Sequence, residues 1–205
     1  MKPSHLSSQN KLLIATTNLH KAQELWSGLA SKLPHLELCT LRDFPAQEEV
    51  IEDAATFLEN ARIKALAYSQ RLGLPCVADD SGLCVDILNG APGIYSARFA
   101  GPAAKDADNN AHLVETLRPY GPGPFVAHYT CALVYMQPNQ TALEALGHWQ
   151  GHIHLTPKGL HGFGYDPYFV PLGSTQSVAE LSPQDKANQS HRALALRALL
   201  DLFYN

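Results

Sequence analysis

The spacing of apolar residues divides the chain into two kinds of segment. Short continuous apolar runs have the length of buried strands, whereas other segments place apolar residues three and four positions apart, as on one face of a helix. The predicted strands are 11–16, 36–41, 75–78, 83–88, 125–136 and 143–155. The predicted helices are a segment that follows Asn18 and the ranges 56–72, 105–117 and 188–203. Because strands and helices interleave, the expected fold class is α/β with a mixed sheet.

Two helix starts carry capping sequences. Thr56 and Glu59 have the spacing of a capping box, and Pro183 follows a serine at the first turn of a helix. One stripe of the 56–72 segment is apolar, and Asn60 and Lys64 fall on the other face. These signals indicate where the two helices begin.

Composition and charge narrow the class of protein. Charged residues are 17% and apolar residues 45% of the 205 residues, so the chain can bury a sizeable core and is not expected to be disordered. A net charge of −4 argues against a general nucleic-acid-binding protein. No apolar run approaches the ~20 residues of a membrane span, and residues 1–10 lack the apolar stretch of a secretory signal. We expect a flexible tail at 1–10, a single domain over 11–205 and four reduced core cysteines in a cytoplasmic protein.

The tetrad Asp79-Asp80-Ser81-Gly82 interrupts an apolar region and is a candidate for chemistry. Aspartate, serine and glycine are common in turns, so one interpretation is a tight turn between two strands. The other is a Mg²⁺ site, because adjacent carboxylates in apolar surroundings require a compensating cation. The sequence leaves both interpretations open.

The segment 16–21 lies where a predicted strand meets a predicted helix. Backbone N–H groups at a helix N-terminus attract anions, and Lys21 lies one turn into the helix, so the segment has the features of a phosphate cradle. It lacks the glycines of a P-loop, and the alternative is an ordinary Asn18 cap beside a solvated lysine.

Two loops also carry candidate residues. Glu48, Glu49, Glu52 and Asp53 form an acidic loop that offers metal ligands or is a solvated surface. The loop from Gly162 to Pro167 sets an aromatic residue between glycines, which suits stacking on a base, or it is a turn around a core phenylalanine.

Cations and histidines cluster near the C-terminal region. Lys186, His191 and Arg192 place three potential cations within seven residues, which suits a phosphate or a carbonyl oxygen, or a helix surface. Histidines at 152, 154 and 161 suggest zinc only weakly, because no carboxylate or cysteine accompanies them at a ligand spacing.

The order of the motifs along the chain is more specific than any motif alone. The blocks, in order, are Thr16-x-Asn18-x-x-Lys21, Thr-Phe-x-Glu-Asn-Ala-x-x-Lys-Ala at 56–65, Ala-Asp-Asp-Ser-Gly-Leu at 78–83, Gly-Ala-Pro-Gly-Ile-Tyr-Ser-Ala-Arg at 90–98, Gly-Phe-Gly-Tyr-Asp-Pro at 162–167 and Ser190-His191-Arg192. Together they resemble the inosine triphosphate pyrophosphatase family, from about Lys11 to the end of the sequence.

The resemblance implies an elongated mixed sheet with flanking helices, folded as two lobes around a central cleft that binds the substrate. It implies hydrolysis of inosine, deoxyinosine and xanthosine triphosphates to the monophosphate and pyrophosphate, which removes these noncanonical nucleotides from the pool. It also implies a Mg²⁺ requirement and a homodimer, with a small nucleotide rather than a nucleic acid or a membrane as partner.

The resemblance also implies roles for individual residues. Asp80 matches the catalytic base and a metal ligand, and Ser81 lies at the substrate. Glu52 is the best match for the second metal carboxylate, with Glu49 as the alternative, because the family's Glu-x-Gly is Glu-Asp-Ala here. The implied triphosphate-binding turn is Thr16, Thr17, Asn18, Leu19, His20 and Lys21. The implied base-binding loop is Phe163, Gly164, Tyr165 and Asp166, and Lys186, His191 and Arg192 complete the base and phosphate contacts.

Two other functions stay open. One is a related pyrophosphatase that acts on methylated or pyrimidine nucleotides, although the long 162–167 block argues against it. The other is a nucleotide-binding regulator without turnover, although the presence of both Asp80 and Lys21 argues against it.

Overall fold

The structure, a computed structural model, describes residues 10–204, so the predicted tail at 1–10 lies outside the described residues except for Asn10. Within this range the strands are β1 Lys11–Ala15, β2 Glu37–Thr40, β3 Cys76–Val85, β4 Phe125–Met136, β5 Leu143–Ile153 and β6 Phe169–Pro171. The α-helices are α1 Leu19–Lys32, α2 Phe57–Leu72, α3 Asp106–Leu117, α4 Pro183–Gln189 and α5 His191–Tyr204. No helix between residues 10 and 204 combines the length and the apolar character that a membrane span requires.

The strands form one mixed sheet in the order β2-β1-β3-β4-β5-β6. β1 pairs in parallel with both β2 and β3, so Leu13 lies opposite Cys39 on one side and Cys76 on the other. β5 and β6 pair antiparallel, with Gly151 opposite Pro171. The predicted α/β class with a mixed sheet and flanking helices is therefore confirmed.

The chain divides into two compact units, in agreement with the two lobes that the resemblance implies. Among the described residues, unit 1 comprises 10–80, Cys131–Gly147 and 191–204. Unit 2 comprises Ser81–Thr130 and His148–Ser190. β3, β4 and β5 each contribute residues to both units.

Unit 1 has two apolar clusters, one on each face of its strands. The first joins β1 and β3 to α1 and α5, and it includes Leu12, Ile14, Leu25, Val77 and Phe203. The second joins the same strands to α2, and it includes Leu13, Ala15, Ala61, Tyr68 and Ala78. Successive residues of β1 and β3 therefore point to different helical layers, as the alternation of a strand requires. Complete burial of a leucine or phenylalanine contributes about 1.5–3 kcal/mol, so these clusters hold the strands that carry the site.

Unit 2 has a core of its own, built around aromatic rings. Phe169 of β6 packs against Tyr129 and Trp149, with ring centroids 4.7 and 5.7 Å away. Leu113 and Leu117 of α3 belong to the same cluster. α3 is thereby fixed against the strands of unit 2.

The predicted break at residues 79–82 is wrong, because β3 runs unbroken through the tetrad. Residues 86–88, expected in a second strand, form a short 3-10 turn. A Cβ on Gly82 would collide with the Ser96 hydroxyl, which accepts a hydrogen bond from the Leu83 N–H at 2.9 Å. The glycine that suggested a turn is therefore required for close packing within an extended strand.

Both predicted helix starts are confirmed. The Thr56 hydroxyl accepts a hydrogen bond from the Glu59 N–H at 3.2 Å, and the Ser182 hydroxyl accepts one from the Asp185 N–H at 3.0 Å. The single helix predicted over 188–203 is wrong, because α4 ends at Gln189 and α5 begins at His191.

The break between α4 and α5 lies at Ser190, whose backbone is extended with ψ of 157°. The start of α5 packs closely on β5, since a Cβ on Gly147 would collide with the backbone of His191 and Ala195. This close approach depends on tertiary packing, which the local sequence pattern does not report. The same limit explains why the three-residue strand β6 was not among the predicted strands.

Candidate active site

Asp79 of β3 is the centre of a buried ionic cluster in unit 1. Its Oδ1 lies 2.7 Å from Lys21 Nζ, and its Oδ2 accepts hydrogen bonds from Arg192 Nε at 2.9 Å and Cys131 Sγ at 3.1 Å. Arg192 also pairs with Glu24 of α1. The side chain of Asp79 is 0% exposed and that of Arg192 is 2% exposed. Two cations and two anions make the cluster neutral, which is the condition under which charges tolerate burial.

The pKa values of Asp79 and Arg192 favour their charged forms. Burial alone would raise the pKa of the Asp79 carboxyl, but Arg192 and Lys21 hold it well below its usual value. Burial would lower the pKa of Arg192, but the carboxylates of Asp79 and Glu24 raise it above its usual value. Burial and the neighbouring Asp79 raise the pKa of Cys131, so this residue is a neutral thiol that donates to the carboxylate.

Asp80, the next residue of β3, has a different environment. Its Oδ2 accepts a hydrogen bond from Asn60 Nδ2 at 3.1 Å, and Asn60 Oδ1 in turn accepts one from the Ala54 N–H at 3.0 Å. Burial raises the pKa of Asp80, and the charges of Lys21 and Lys64 offset only part of this effect. A carboxylate with a raised pKa is a better proton acceptor than an ordinary aspartate.

Lys64 of α2 connects the acidic loop to β3. Its Nζ lies 2.7 Å from Glu52 Oε2 and donates a hydrogen bond to the carbonyl oxygen of Asp79 at 2.9 Å. Glu49, the alternative metal ligand, is exposed. Among residues 10–204, no group of three or more histidine, cysteine, aspartate or glutamate side chains is arranged to hold a metal ion. Lys64 thus contacts both the Glu52 carboxylate and the Asp79 backbone.

The segment 16–21 forms the predicted helix cap. Asn18 Oδ1 accepts hydrogen bonds from the N–H groups of His20 at 3.0 Å and Lys21 at 3.1 Å, and Thr16 Oγ1 accepts one from the Asn18 N–H at 3.2 Å. Thr17 and Leu19 are exposed. The alternative of a solvated Lys21 is wrong, because its side chain is 18% exposed and is paired with Asp79.

The predicted base-binding loop lies in unit 2 and is organised by Asp166. Asp166 Oδ2 accepts hydrogen bonds from Lys186 Nζ at 2.7 Å and from the Phe163 N–H at 2.9 Å. Lys186 Nζ lies 4.4 Å from the centroid of the Phe163 ring. Phe163 is only partly buried, so the alternative of a core phenylalanine is wrong, whereas Tyr165 is a core residue whose hydroxyl donates to the Ser96 carbonyl oxygen at 2.8 Å.

The three cations that the sequence places within seven residues belong to different units of the fold. Lys186 belongs to unit 2 and pairs with Asp166, whereas Arg192 belongs to unit 1 and pairs with Asp79. His191 is buried at the start of α5, and Ser81 is partly buried in β3. The base and phosphate contacts assigned to these residues stay predictions.

Sequence reasoning missed several residues that contact the predicted site. Asn60 and Lys64 were placed on a polar helix face, but this face is buried and contacts Asp80 and the backbone of Asp79. Their signal was the polar pair four residues apart inside the 56–65 block. Glu24 and Cys131 gave no local signal, because their role depends on contacts with residues distant in sequence.

An α/β fold that brings a helix N-terminus and lysine and arginine side chains next to an aspartate pair has the features expected of a protein that binds small anions with a divalent cation. A sequence model of the Ham1 family matches residues 12–202, and the chain belongs to this family. The family indicated by the motif blocks is thereby confirmed.

Two curated relatives and one solved structure match this chain over nearly their whole length. The dITP/XTP pyrophosphatase of Streptococcus pneumoniae is 44% identical over 193 residues, which are 94% of this chain and 96% of that protein. The dITP/XTP pyrophosphatase of Mycobacteroides abscessus is 43% identical over 196 residues, 95% of each chain. The solved structure of a HAM1 protein from Coxiella burnetii has a TM-score of 0.82 at 35% identity and covers 94% of this chain and 97% of its own.

Proposed function

We propose that the protein hydrolyses inosine, deoxyinosine and xanthosine triphosphates to the monophosphate and pyrophosphate. The observation that carries the proposal is the pair of adjacent carboxylates in β3, of which Asp79 is held as an anion by cations and Asp80 has a raised pKa. The substrate class is supported by the relatives, which are named dITP/XTP pyrophosphatases.

The residues of unit 1 carry the phosphate chemistry. Asp80 accepts the proton of the water that attacks the α-phosphorus, and Asn60 orients its carboxylate. Lys21 and the positive end of the α1 dipole stabilise the charge that develops on the leaving pyrophosphate. Asp79 pairs with the Lys21 ammonium and holds it in place. Arg192 pairs with the other oxygen of Asp79 and so fixes the carboxylate.

Asp80 and Glu52 are the residues that would hold Mg²⁺. Both offer the carboxylate oxygens that this ion prefers, and the raised pKa of Asp80 means that the protein's own charges do not fully compensate its carboxylate. A bound Mg²⁺ would supply charge neutralisation at the triphosphate. Glu52 would then exchange part of its pairing with Lys64 for the metal.

The base-binding loop and Lys186 carry base recognition in this proposal. The Phe163 ring stacks on the purine, and Lys186 donates to the 6-oxygen of hypoxanthine or xanthine. Adenine has an amino group at this position, which would face a donor instead of satisfying it. Asp166 fixes both Lys186 and the backbone of Phe163, so the two recognition groups share one anchor.

Two features of the biological setting belong to the same proposal. The resemblance supports a homodimer. The four free cysteines support a reducing compartment such as the cytoplasm, because such thiols persist there.

The test is incubation of the purified protein and Mg²⁺ with inosine, xanthosine, adenosine and guanosine triphosphates and with methylated and pyrimidine nucleotides. Pyrophosphate and the monophosphate are measured separately. We expect equal amounts of both products, with preference for inosine and xanthosine triphosphates. Preference for methylated or pyrimidine nucleotides would favour the related pyrophosphatase, and binding without either product would favour a regulator.

A further inference from the structure

Helix α3 holds both backbone polar groups of Gly164 in the base-binding loop. Asp106 Oδ2 accepts a hydrogen bond from the Gly164 N–H at 2.7 Å, and Asn110 Nδ2 donates one to the Gly164 carbonyl oxygen at 2.9 Å. Asp106 and Asn110 are four residues apart and therefore lie on one face of the helix. We call this pair of side chains the Gly164 clamp.

Gly164 has a backbone conformation that such a clamp would stabilise. Its φ is +60°, and no heavy atom lies within 4 Å of where its Cβ would be, so conformation rather than space requires a glycine here. Glycine also has the greatest freedom to leave that conformation. A rotation at Gly164 would turn Phe163 relative to Asp166, and the clamp resists it at both peptide groups.

The helix that carries the clamp is itself anchored. Asn109 Nδ2 donates to the Ala97 carbonyl oxygen at 3.1 Å, and Asn109 Oδ1 accepts from the Ala100 N–H at 2.9 Å. Further along α3, Leu113 and Leu117 are fully buried in the core of unit 2. The clamp therefore extends from a fixed helix and not from a second loop.

The Asn110 amide donates to the Gly164 carbonyl oxygen, but its own carbonyl oxygen is buried without a hydrogen bond within residues 10–204. Its side chain is buried, and its Oδ1 has no hydrogen-bond partner among the described residues. A buried carbonyl oxygen without a partner lowers stability. The favourable contribution of this side chain is therefore the hydrogen bond from Nδ2 to Gly164.

We propose that Asp106 and Asn110 are positioning residues that set purine discrimination by fixing Gly164. They touch neither substrate nor reacting atoms. They hold the peptide groups on either side of Gly164, and this sets the direction of the Phe163 ring relative to Asp166. The inference rests on the proposed function, because that proposal assigns Phe163 and its neighbours to the base.

The kinetic test compares Asp106→Ala and Asn110→Ala with Asp106→Asn, which keeps an acceptor for the Gly164 N–H. We expect each alanine variant to raise KM for inosine triphosphate about tenfold and to lower the ratio of kcat/KM for inosine over adenosine triphosphate by a similar factor. We expect Asp106→Asn to stay within about threefold of the wild type, because the neutral amide oxygen retains about half of a charge-assisted hydrogen bond.

Asp108→Ala is the matched control. Asp108 lies in the same turn of α3, but its Oδ2 accepts from the Lys105 N–H at 2.8 Å and caps the helix. We expect this variant to lower Tm and to leave the nucleotide ratio unchanged. An unchanged ratio in Asp106→Ala, or an equal change in Asp108→Ala, would overturn the proposal. If Asn110→Ala fails to fold, Asp106→Ala decides, since Asp106 is exposed.

Hydrogen exchange at the Gly164 amide tests the clamp without nucleotide. We expect slow exchange in the wild type and in Asp106→Asn, and exchange about tenfold faster in Asp106→Ala. Equal rates in wild type and Asp106→Ala would overturn the clamp whatever the kinetics. If the wild-type protein hydrolyses no inosine triphosphate but shows the expected exchange rates, the proposed function is overturned. The role of the clamp in purine discrimination is then overturned as well, but the clamp remains as a structural feature.

Discussion

Asp79 and Asp80 are consecutive residues of β3, and their carboxyl pKa values are displaced in opposite directions. Because side chains alternate across a strand, Asp79 lies on the face where α1 and α5 pack, and Asp80 lies on the face of α2. The first face supplies Lys21 and Arg192, and the second supplies the amide of Asn60. The Asp79 carboxyl is thereby held as an anion, and the Asp80 carboxyl has the raised pKa that suits the proposed general base.

Asp80→Asn should lower turnover of inosine triphosphate at least about 100-fold, because the amide keeps the shape but cannot accept the proton. The measurement is kcat with saturating Mg²⁺. Asp201→Asn, the same chemical change at an exposed position of α5, is the control and should retain full activity. Rates near those of the wild type in Asp80→Asn would refute its role as the base.

Lys21→Met should weaken binding of nucleotides with intact β- and γ-phosphates more than binding of the monophosphate. The reason is that the proposed function assigns its ammonium to the leaving pyrophosphate, and a charged contact contributes about 1.5–3 kcal/mol. Calorimetric Kd values for inosine monophosphate and triphosphate, with the Asp80→Asn background to prevent turnover, check the difference. Lys32→Met at the exposed end of α1 is the control. An equal loss for both nucleotides would indicate a structural role.

The stabilising effect of Asp79 should depend on pH. Its folded-state pKa is depressed, so its contribution to stability is present above the unfolded-state pKa of about 3.9 and is lost as pH falls through the folded value. Asp79→Asn should therefore lower the free energy of unfolding by about 3–5 kcal/mol at pH 7, and by progressively less below about pH 4. Urea unfolding of both proteins at several pH values without metal checks the trend. A difference that stays constant down to pH 3 would contradict it.

Arg192→Lys should lower stability and reduce kcat/KM for inosine and adenosine triphosphates by the same factor. Arg192 engages Asp79 and Glu24 at once, and a lysine cannot reproduce the planar fork that serves two carboxylates. The ratio of the two kcat/KM values is the measurement. A change in that ratio greater than about fivefold, well beyond the effect of a shared loss, would mean that Arg192 reads the base directly.

The positions of most strands and helices were predictable, because the period of apolar residues reports local structure. The extended conformation of the tetrad 79–82 was not predictable. Its residues are common in turns, and the residues that they contact are distant in sequence. Arg192, which bonds Asp79, is 113 residues distant, and the Ser96 hydroxyl that excludes a side chain at Gly82 comes from a separate segment. Tertiary contacts of this kind override local turn preference.

The candidate site shows the same limit. Motif order located Asp80, Lys21 and Phe163, since their residue types belong to recognisable blocks. It did not show that Lys21 is paired with Asp79, or that Lys186 and Arg192 belong to different ionic pairs. Pairing depends on which side chains the fold brings together, and a single sequence does not contain that information.

The way the chain alternates between the two units has a consequence for folding during synthesis. Unit 2 has all its residues once Ser190 has been made, whereas unit 1 still lacks α5. Until α5 emerges from the ribosome, the apolar side chains of β1 and α1 have no contact with Leu199 and Phe203. Chains of contiguous domains complete their N-terminal part first. Here β1, the first strand, packs against α5, the last helix, so the core of unit 1 is incomplete until synthesis reaches α5.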